Sequence, residues 1–123
     1  MRVVQIPNII TAGTVMNTTI HSSAIGVPQM FGAAIQIEFS GTPTGSFNLQ
    51  ASADPWVANP TAAQVPSNFS DVADSTFTVS AAGNVMWNIS DIEYNWIRVV
   101  YTDTSSGAST ATITNASANL KGF

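Results

Sequence analysis

The sequence contains no cysteine and few charged residues. With 0 cysteines among 123 residues, no disulfide, thiolate nucleophile or cysteine metal site can form, so the core alone must hold the fold together. Charged residues make up 8% of the chain, against roughly a quarter in a typical domain. The polar surface must therefore consist mainly of Ser, Thr, Asn and Gln, and it carries little charge.

Positive charge is especially scarce. Arg2, Arg98 and Lys121 are the only cations, and the formal net charge is −4. Such a chain cannot neutralise a run of phosphates or of anionic lipid headgroups, so we expect no direct binding to nucleic acid or to a membrane. Polar residues and a proline interrupt the apolar start of the chain, and no apolar run approaches the length of a membrane span, so we also expect no signal peptide.

The length and the punctuation of the chain indicate a single domain over residues 1–123. A chain of this size buries roughly two thirds of the surface that its unfolded form exposes, which is enough for a core without staples. We find no internal repeat and no linker that divides the chain. Residues 1–31 are less regular than the rest and form an N-terminal segment of the same domain.

Alternating apolar and polar residues predict β-strands along most of the chain. Residues 35–40 and 46–51 alternate on either side of a Gly- and Pro-containing turn at 41–45, which predicts a hairpin. Residues 76–79 and 85–89 predict a second hairpin by the same reasoning.

Two further segments complete the predicted strands. Residues 94–102 are apolar on both faces, which indicates a central strand that is covered on both sides, and residues 110–120 form a final Thr- and Ala-rich strand. Residues 54–74 contain three prolines and read as an ordered excursion across the domain, with room for a short helix. The predicted fold class is therefore all-β, an antiparallel β-sandwich of jelly-roll-like form.

The strand register predicts which side chains fill the core. The apolar phase of the alternating strands should be mostly buried, and it comprises Ile37, Phe39, Phe47, Leu49, Phe77, Trp87, Ile97 and Val99. Trp96 also lies within a strand pattern, so we expect it in the core with Trp87.

Residues able to carry out chemistry are few. His21 is the only histidine, and without cysteine it cannot assemble a zinc site or a nucleophile and base pair, so we interpret it as a surface or strand-edge residue. Ser22 and Ser23 lack the context of a nucleophile elbow and read as loop residues. We expect no catalytic residue, no cofactor and no enzymatic activity.

The acidic residues lie in or beside predicted loops, where carboxylates can bind a hard cation such as calcium or can form turns. Their spacing matches no EF-hand, so we predict turn or surface roles and no metal site. A glycosidase pair is disfavoured because a small antiparallel domain rarely offers a deep cleft. The acids in question are Asp71, Asp74, Asp91, Glu93 and Asp103.

Six residues are candidates for a binding role. Trp56 lies in the Pro-rich excursion, where it can plug the edge of the sandwich, stack on a sugar ring or contact a neighbouring subunit. Phe69 lies in the same excursion. The N-terminal run contributes Arg2, Val3, Val4 and Ile6, because this apolar strand precedes a proline and the later strands already supply a sandwich. We predict that this spare strand adds to a neighbour's sheet, and pairing within its own subunit is the alternative.

Three runs of the sequence resemble small virion structural proteins of tailed bacteriophages. They are GTPTGSFNLQASADP at 41–55, WNISDI at 87–92 and WIRVVYT at 96–102, with Tyr94 between the last two and NLKGF at the end of the chain. The same strands are more weakly similar to discoidin-like galactose-binding sandwiches, although Pro55 stands where that pattern has glycine. The resemblance covers roughly residues 33–123.

The resemblance implies a non-enzymatic virion component. It predicts a capsid decoration, cement or head-fibre protein that is assembled in the host cytoplasm, binds the major capsid protein or other virion proteins, and works as a homo-oligomer or as repeated copies. A low-charge surface suits close subunit contact, because few ions must be desolvated. The alternative function is a carbohydrate- or receptor-binding module of a tail or fibre, with Trp56 as its stacking platform.

Overall fold

The computed structural model describes residues 2–122, and residue 62 is described by its backbone alone. Met1, the first residue of the N-terminal segment, and Phe123, the last residue of the chain, lie outside the described residues. Eleven strands and one 3-10 turn follow one another along the described chain. They are β1 (Arg2–Ile6), β2 (Thr14–Val15), β3 (Ile20–His21), β4 (Ile25–Gly26), β5 (Met30–Ser40), β6 (Gly45–Ser52), the 3-10 turn Ala62–Gln64, β7 (Ser70–Asp71), β8 (Phe77–Val79), β9 (Gly83–Ser90), β10 (Trp96–Asp103) and β11 (Thr112–Gly122).

The strands form two antiparallel sheets that pack face to face. Sheet A has the order β1-β11-β5-β9, with β2 continuing along the β1 side of β11. In sheet B, β3 and β4 pair along one side of β10, β6 pairs along the other side, and β7 and β8 pair along the far side of β6. When each set of short collinear strands is counted once, the arrangement is an eight-stranded jelly roll, so the predicted fold class is confirmed.

Both predicted hairpins are wrong, although their strands are present. β5 pairs with β11 and β9 in sheet A, whereas β6 pairs with β10 in sheet B. In the same way β8 pairs with β6, and β9 pairs with β5. The turns after β5 and β8 therefore carry the chain across the sandwich. Gly41, at φ 86°, makes such a corner as readily as it makes a hairpin turn, so the local sequence does not distinguish the two.

The core lies between the sheets and follows the predicted register with one exception. Phe47, Leu49, Ile97 and Val99 are at most 1% exposed, and Ile37, Phe39 and Trp87 are also buried. Phe77 is 39% exposed, because β8 lies at the rim of the sandwich, where the ring contacts Trp87 at 5.5 Å between centroids.

β10 is covered on both faces, as predicted, but its tryptophan does not belong to the core. Ile97 faces the interior, whereas Trp96 lies on the outer face of sheet B, under the chain excursion that joins β6 to β7. The excursion is ordered and contains the short 3-10 turn. Within residues 2–122 no helix is long and apolar enough to cross a membrane.

Two buried serines complete the edges of sheet B. Between β3 and β4, Ser22 Oγ accepts a hydrogen bond from the Val99 N–H of β10 at 2.8 Å. Between β7 and β8, Ser75 Oγ accepts one from the Leu49 N–H of β6 at 3.0 Å. Each hydroxyl replaces the carbonyl that an uninterrupted strand would supply, so the buried N–H is satisfied where the strand is broken.

Candidate interaction surface

The N-terminal strand is the edge of sheet A. β1 pairs antiparallel with β11 from Arg2, opposite Gly122, to Ile6, opposite Ala118. The strand is therefore not spare, and the alternative of pairing within its own subunit holds. The prediction assumed two hairpins that do not form. In the observed sheet A, β5 pairs with one side of β11 and β1 pairs with the other. The outer side of β1 has no strand beside it among residues 2–122.

Alternation along β1 directs its side chains to opposite faces. Val4 and Ile6 pack against the core and are half-buried, whereas Val3 is 53% exposed on the outer face. Pro7 follows the strand and cannot donate to a ladder, and Asn8, at φ 54°, turns the chain away. The strand therefore stays short and presents an apolar row toward the rim of the sandwich.

A groove of about 360 Å³ opens at this rim, between β1 of sheet A and the start of the excursion that covers sheet B. We call it the edge groove. Its lining is mostly apolar and contains one cation and no acid: Arg2, Val4, Ile6, Gly26, Pro28, Gln29, Met30, Trp56 and Leu120.

Trp56 forms one wall of the edge groove and is 42% exposed. Its indole lies directly on Gly26, where a β-carbon would collide with the ring. Glycine at this position of β4 therefore allows the tryptophan to lie flat against the strand. Trp87 and Trp96 are buried, so Trp56 is the one exposed tryptophan of the chain.

A carboxylate fixes the excursion that carries Trp56. Asp54 accepts hydrogen bonds from the N–H groups of Ser67 and Asn68, at 3.0 and 3.2 Å, and from the Asn68 amide at 3.1 Å. The Asn68 side chain and these N–H groups stabilise the charged form and lower the pKa of Asp54 below its ordinary value. Trp96 Nε1 also donates to the Pro55 carbonyl at 3.4 Å. The two residues that precede Trp56 thus fix this wall of the groove.

Phe69 lies away from the groove. Its ring covers the Arg98 guanidinium at 4.0 Å on the outer face of sheet B, and Arg98 donates from Nε and Nη2 to Gln50 Oε1 at 2.9 and 2.7 Å. This cation–π contact holds the end of the excursion against the sheet.

The structure brings four of the six candidate binding residues together. Arg2, Val4, Ile6 and Trp56 line the edge groove. Val3 and Phe69 lie elsewhere for the reasons given above. Sequence reasoning missed the groove residues of the β4–β5 connection and of β11. The Gly-Val-Pro-Gln run at 26–29 is the sequence signal that could have located the β4–β5 connection, because Gly and Pro together are typical of a turn. In the structure Gln29 has a positive φ of 60° there.

The remaining candidates occupy structural positions. His21 is exposed on β3 at the edge of sheet B, opposite Val100, as predicted. Asp103 accepts hydrogen bonds from Ser105 and Gly107, and the Ser105 hydroxyl in particular lowers the pKa of Asp103. Asp71 accepts from two side-chain amides of β6.

Of the other candidate acids, Glu93 is exposed outside any strand, and Asp74 and Asp91 lie where the chain turns. Asp74 and Asp91 have positive φ angles of 58° and 56°, as turn residues often do. Across the described part of the chain, no three His, Asp or Glu side chains come together as a metal site would require.

The outer face of sheet A contains two hollows. They have volumes of about 300 and 450 Å³ and lie over Gly32 and Ala34 of β5. Their walls come from neutral side chains such as Asn88 and Asn119, together with Lys121. This face carries the low charge that the composition predicts.

Comparison with known proteins gives matches in solved structures only. No protein-family model matches the chain, and no curated protein matches it. The coat protein of Tobacco streak virus, solved at 2.1 Å in a C2 crystal form, is similar over 97% of this chain and 85% of its own, with 8% identity and a TM-score of 0.48.

A structure of the Tobacco streak virus coat protein dimer gives 98% and 86% coverage, 8% identity and a TM-score of 0.46. At this level of similarity neither match carries an argument about function.

Proposed function

We propose that the chain is a non-enzymatic structural protein of a bacteriophage virion, a decoration or cement protein that binds the outside of the head. The observation that carries the proposal is the edge groove, where an open strand edge adjoins an apolar surface with an exposed tryptophan. Exposed apolar surface beside unpaired backbone groups suits a protein partner, because the partner can bury the side chains and pair the backbone. The sequence resemblance given above points to the virion as the place of that partner.

The surroundings of the groove also favour a protein partner. Arg2 is its one charged residue, and the nearby faces of the sandwich are built from neutral amides and hydroxyls. Packing such a surface against a capsid subunit desolvates few ions. The interaction therefore depends on shape and apolar contact more than on charge.

The proposal is tested on particles of the phage that encodes the chain. Mass-spectrometric counting of its peptides in purified virions should give many copies per head, in a fixed ratio to the major capsid protein. Purified chain should bind undecorated capsids, and Trp56→Ala should weaken that binding about tenfold or more, as expected of a buried aromatic anchor. Val65→Ala, on the same excursion but outside the groove, is the matched control. Absence from virions, or equal binding by both variants, contradicts the proposal.

The exposed ring of Trp56 also favours a second candidate function, a carbohydrate- or receptor-binding module. One face of the indole is open beside Arg2 and Gln29, which could hydrogen-bond a sugar hydroxyl. Because Trp56 is the one exposed tryptophan, titration with oligosaccharides should change its fluorescence selectively if this function holds. An unchanged emission spectrum across a panel of neutral and acidic glycans rejects it.

A further inference from the structure

The two edge strands of sheet A are open in a way that the edges of sheet B are not. Among residues 2–122, no strand pairs with the outer side of β1 or β9, which run continuously for five and eight residues. Together they contain one charged residue, Arg2, and no proline. Charge, proline and interruption are the devices that ordinarily keep an edge from pairing with another chain.

The directions of these two strands suit pairing between copies in the same orientation. Sheet A is antiparallel throughout, so its first and fourth strands run in opposite directions. A second copy placed beside the first in the same orientation therefore presents its β1 antiparallel to β9, with both inner faces on the same side. Across sheet A, Val3, Val4, Gln5 and Ile6 lie level with Ser90, Ile89, Asn88 and Trp87, so a copy displaced along the line of the sheet places Gln5 opposite Asn88 of its neighbour.

The side chains at the two rims also match. At the β9 rim, Phe77 projects between the sheets and is 39% exposed, and at the β1 rim the edge groove opens between the sheets. In this register Arg2 would lie opposite Asp91, the first of the two acids, Asp91 and Glu93, that follow β9. An apolar side chain thus faces an apolar groove, and the single cation of β1 faces the acids.

From this match we infer that the chain self-associates head to tail, with β1 of one copy paired to β9 of the next and Phe77 in the edge groove. The inference deepens the proposed function and rests on it: on the head, the partner that fills the groove is the neighbouring copy, and Trp56→Ala weakens capsid binding because it removes the contact between copies. Since the two contacting surfaces differ, the association is heterologous and produces a ring or a filament, unlike a two-fold dimer.

Disulfide trapping tests the pairing in this cysteine-free chain. Gln5 and Asn88 point to the outer face, and they lie three strand spacings apart within one copy, about 14 Å, too far for an internal bridge. The double variant Gln5→Cys/Asn88→Cys should therefore give a ladder of covalent dimers, trimers and larger species on oxidation. Each single variant should form no covalent oligomer, and an equal mixture of the two single variants should form covalent dimers and nothing larger. If Gln5→Cys alone forms a covalent dimer, β1 pairs with β1 and the inference is overturned. The inference is also overturned if the double variant forms no covalent oligomer.

Sedimentation velocity supplies a second readout without cysteines. Arg2→Glu and Phe77→Asp should each weaken self-association about tenfold or more, as expected when a central contact is lost. Lys121→Glu and Val65→Asp make the same changes at exposed positions outside the contact and should leave it unaltered. If a contact variant and its control variant change self-association equally, the inference is overturned. Circular dichroism shows that each variant is folded.

The two proposals fail in different ways. If the cysteine variants form no ladder while Trp56→Ala still weakens capsid binding, the self-association is wrong and the virion function stands. If the ladder forms but the chain is absent from virions, the virion function is wrong.

Discussion

The edges of the two sheets are built differently. Each edge of sheet B consists of two strands of two or three residues, and a buried serine fills the gap between them. Sheet A has the continuous eight-residue β9 at one edge and the five-residue β1 at the other, where β2 follows only after residues 7–13. The same sandwich therefore has one sheet whose edges are unsuited to pairing with another chain and one whose edges are available.

The difference shows how a small domain can direct its contacts. Short broken strands offer an incoming strand few consecutive backbone groups, so sheet B should not extend into a neighbour. In sheet A, alternate N–H and C=O groups of β1 and β9 point away from the sheet. Variants of the core that supports both sheets, and then variants of the edges themselves, test this difference.

The largest effect should come from the aromatic cluster beneath both sheets. Phe47 of sheet B lies 6.3 Å from Trp87 of sheet A and 4.8 Å from Tyr101, measured between ring centroids. Phe47→Ala or Trp87→Ala should lower the free energy of unfolding by about 3–5 kcal/mol in chemical denaturation, because a buried cavity is created. Phe77→Ala at the rim is the control and should cost about 1 kcal/mol. A loss below about 1 kcal/mol for Phe47→Ala would show that the assigned strand register is wrong.

The next effect concerns the serines that complete sheet B. Ser22→Ala and Ser75→Ala should each cost about 1–3 kcal/mol, because the N–H of Val99 or Leu49 loses its acceptor in a buried place. Native-state hydrogen exchange should show faster exchange at that one amide. Ser23→Ala, an exposed neighbour, should change stability by less than about 0.5 kcal/mol. Equal exchange in the Ser22 and Ser23 variants would mean that the broken edge does not need its serine.

The sequence predicts the strands of this fold better than it predicts their partners. Alternation over 35–40, 46–51 and 85–89 marks the strands and their buried faces correctly, because period two depends only on the chain itself. Pairing depends on the whole sandwich. The turn at 41–45 has hairpin chemistry, but Pro43 is buried and Gly45 lies so close to Tyr101 and the Thr102 carbonyl that the chain must cross to sheet B.

The candidate surface shows the same limit. Arg2, Val4 and Ile6 could be chosen because they belong to the apolar N-terminal run, and Trp56 because it lies in the irregular Pro-rich excursion. The sequence could not show that residues 2–6 and residue 56 meet at one rim, since the contact joins an edge of sheet A to an excursion over sheet B. Phe69 was chosen with Trp56 because both are aromatic residues of one excursion, and the contact with Arg98 that separates them is long-range.

A smaller effect should appear in the pH dependence of the excursion that carries Trp56. Hydrogen bonds from Asn68 and Ser67 lower the pKa of Asp54, so their stabilising contribution is complete above its ordinary pKa and is lost as the pH falls through the lowered value. The amide shifts of Ser67 and Asn68, followed by NMR, should therefore have an inflection below about pH 3.9. Asp54→Asn should abolish the inflection. An inflection at the ordinary pKa would mean that the carboxylate is not held by these donors.

The smallest effect should come from His21. This residue lies on the broken edge of sheet B, which we expect to take no part in association. The side chain is exposed, β3 is only two residues long, and the neighbouring Ser22 supplies the acceptor that β10 needs. His21→Ala should therefore change the free energy of unfolding by less than about 0.5 kcal/mol and leave both self-association and capsid binding unaltered. Denaturation, sedimentation velocity and capsid binding measure the three quantities. A loss of capsid binding in a stably folded His21→Ala variant would place a capsid contact on sheet B. If the chain had a hydrolytic activity that His21→Ala abolished, the chain would carry out chemistry at this edge.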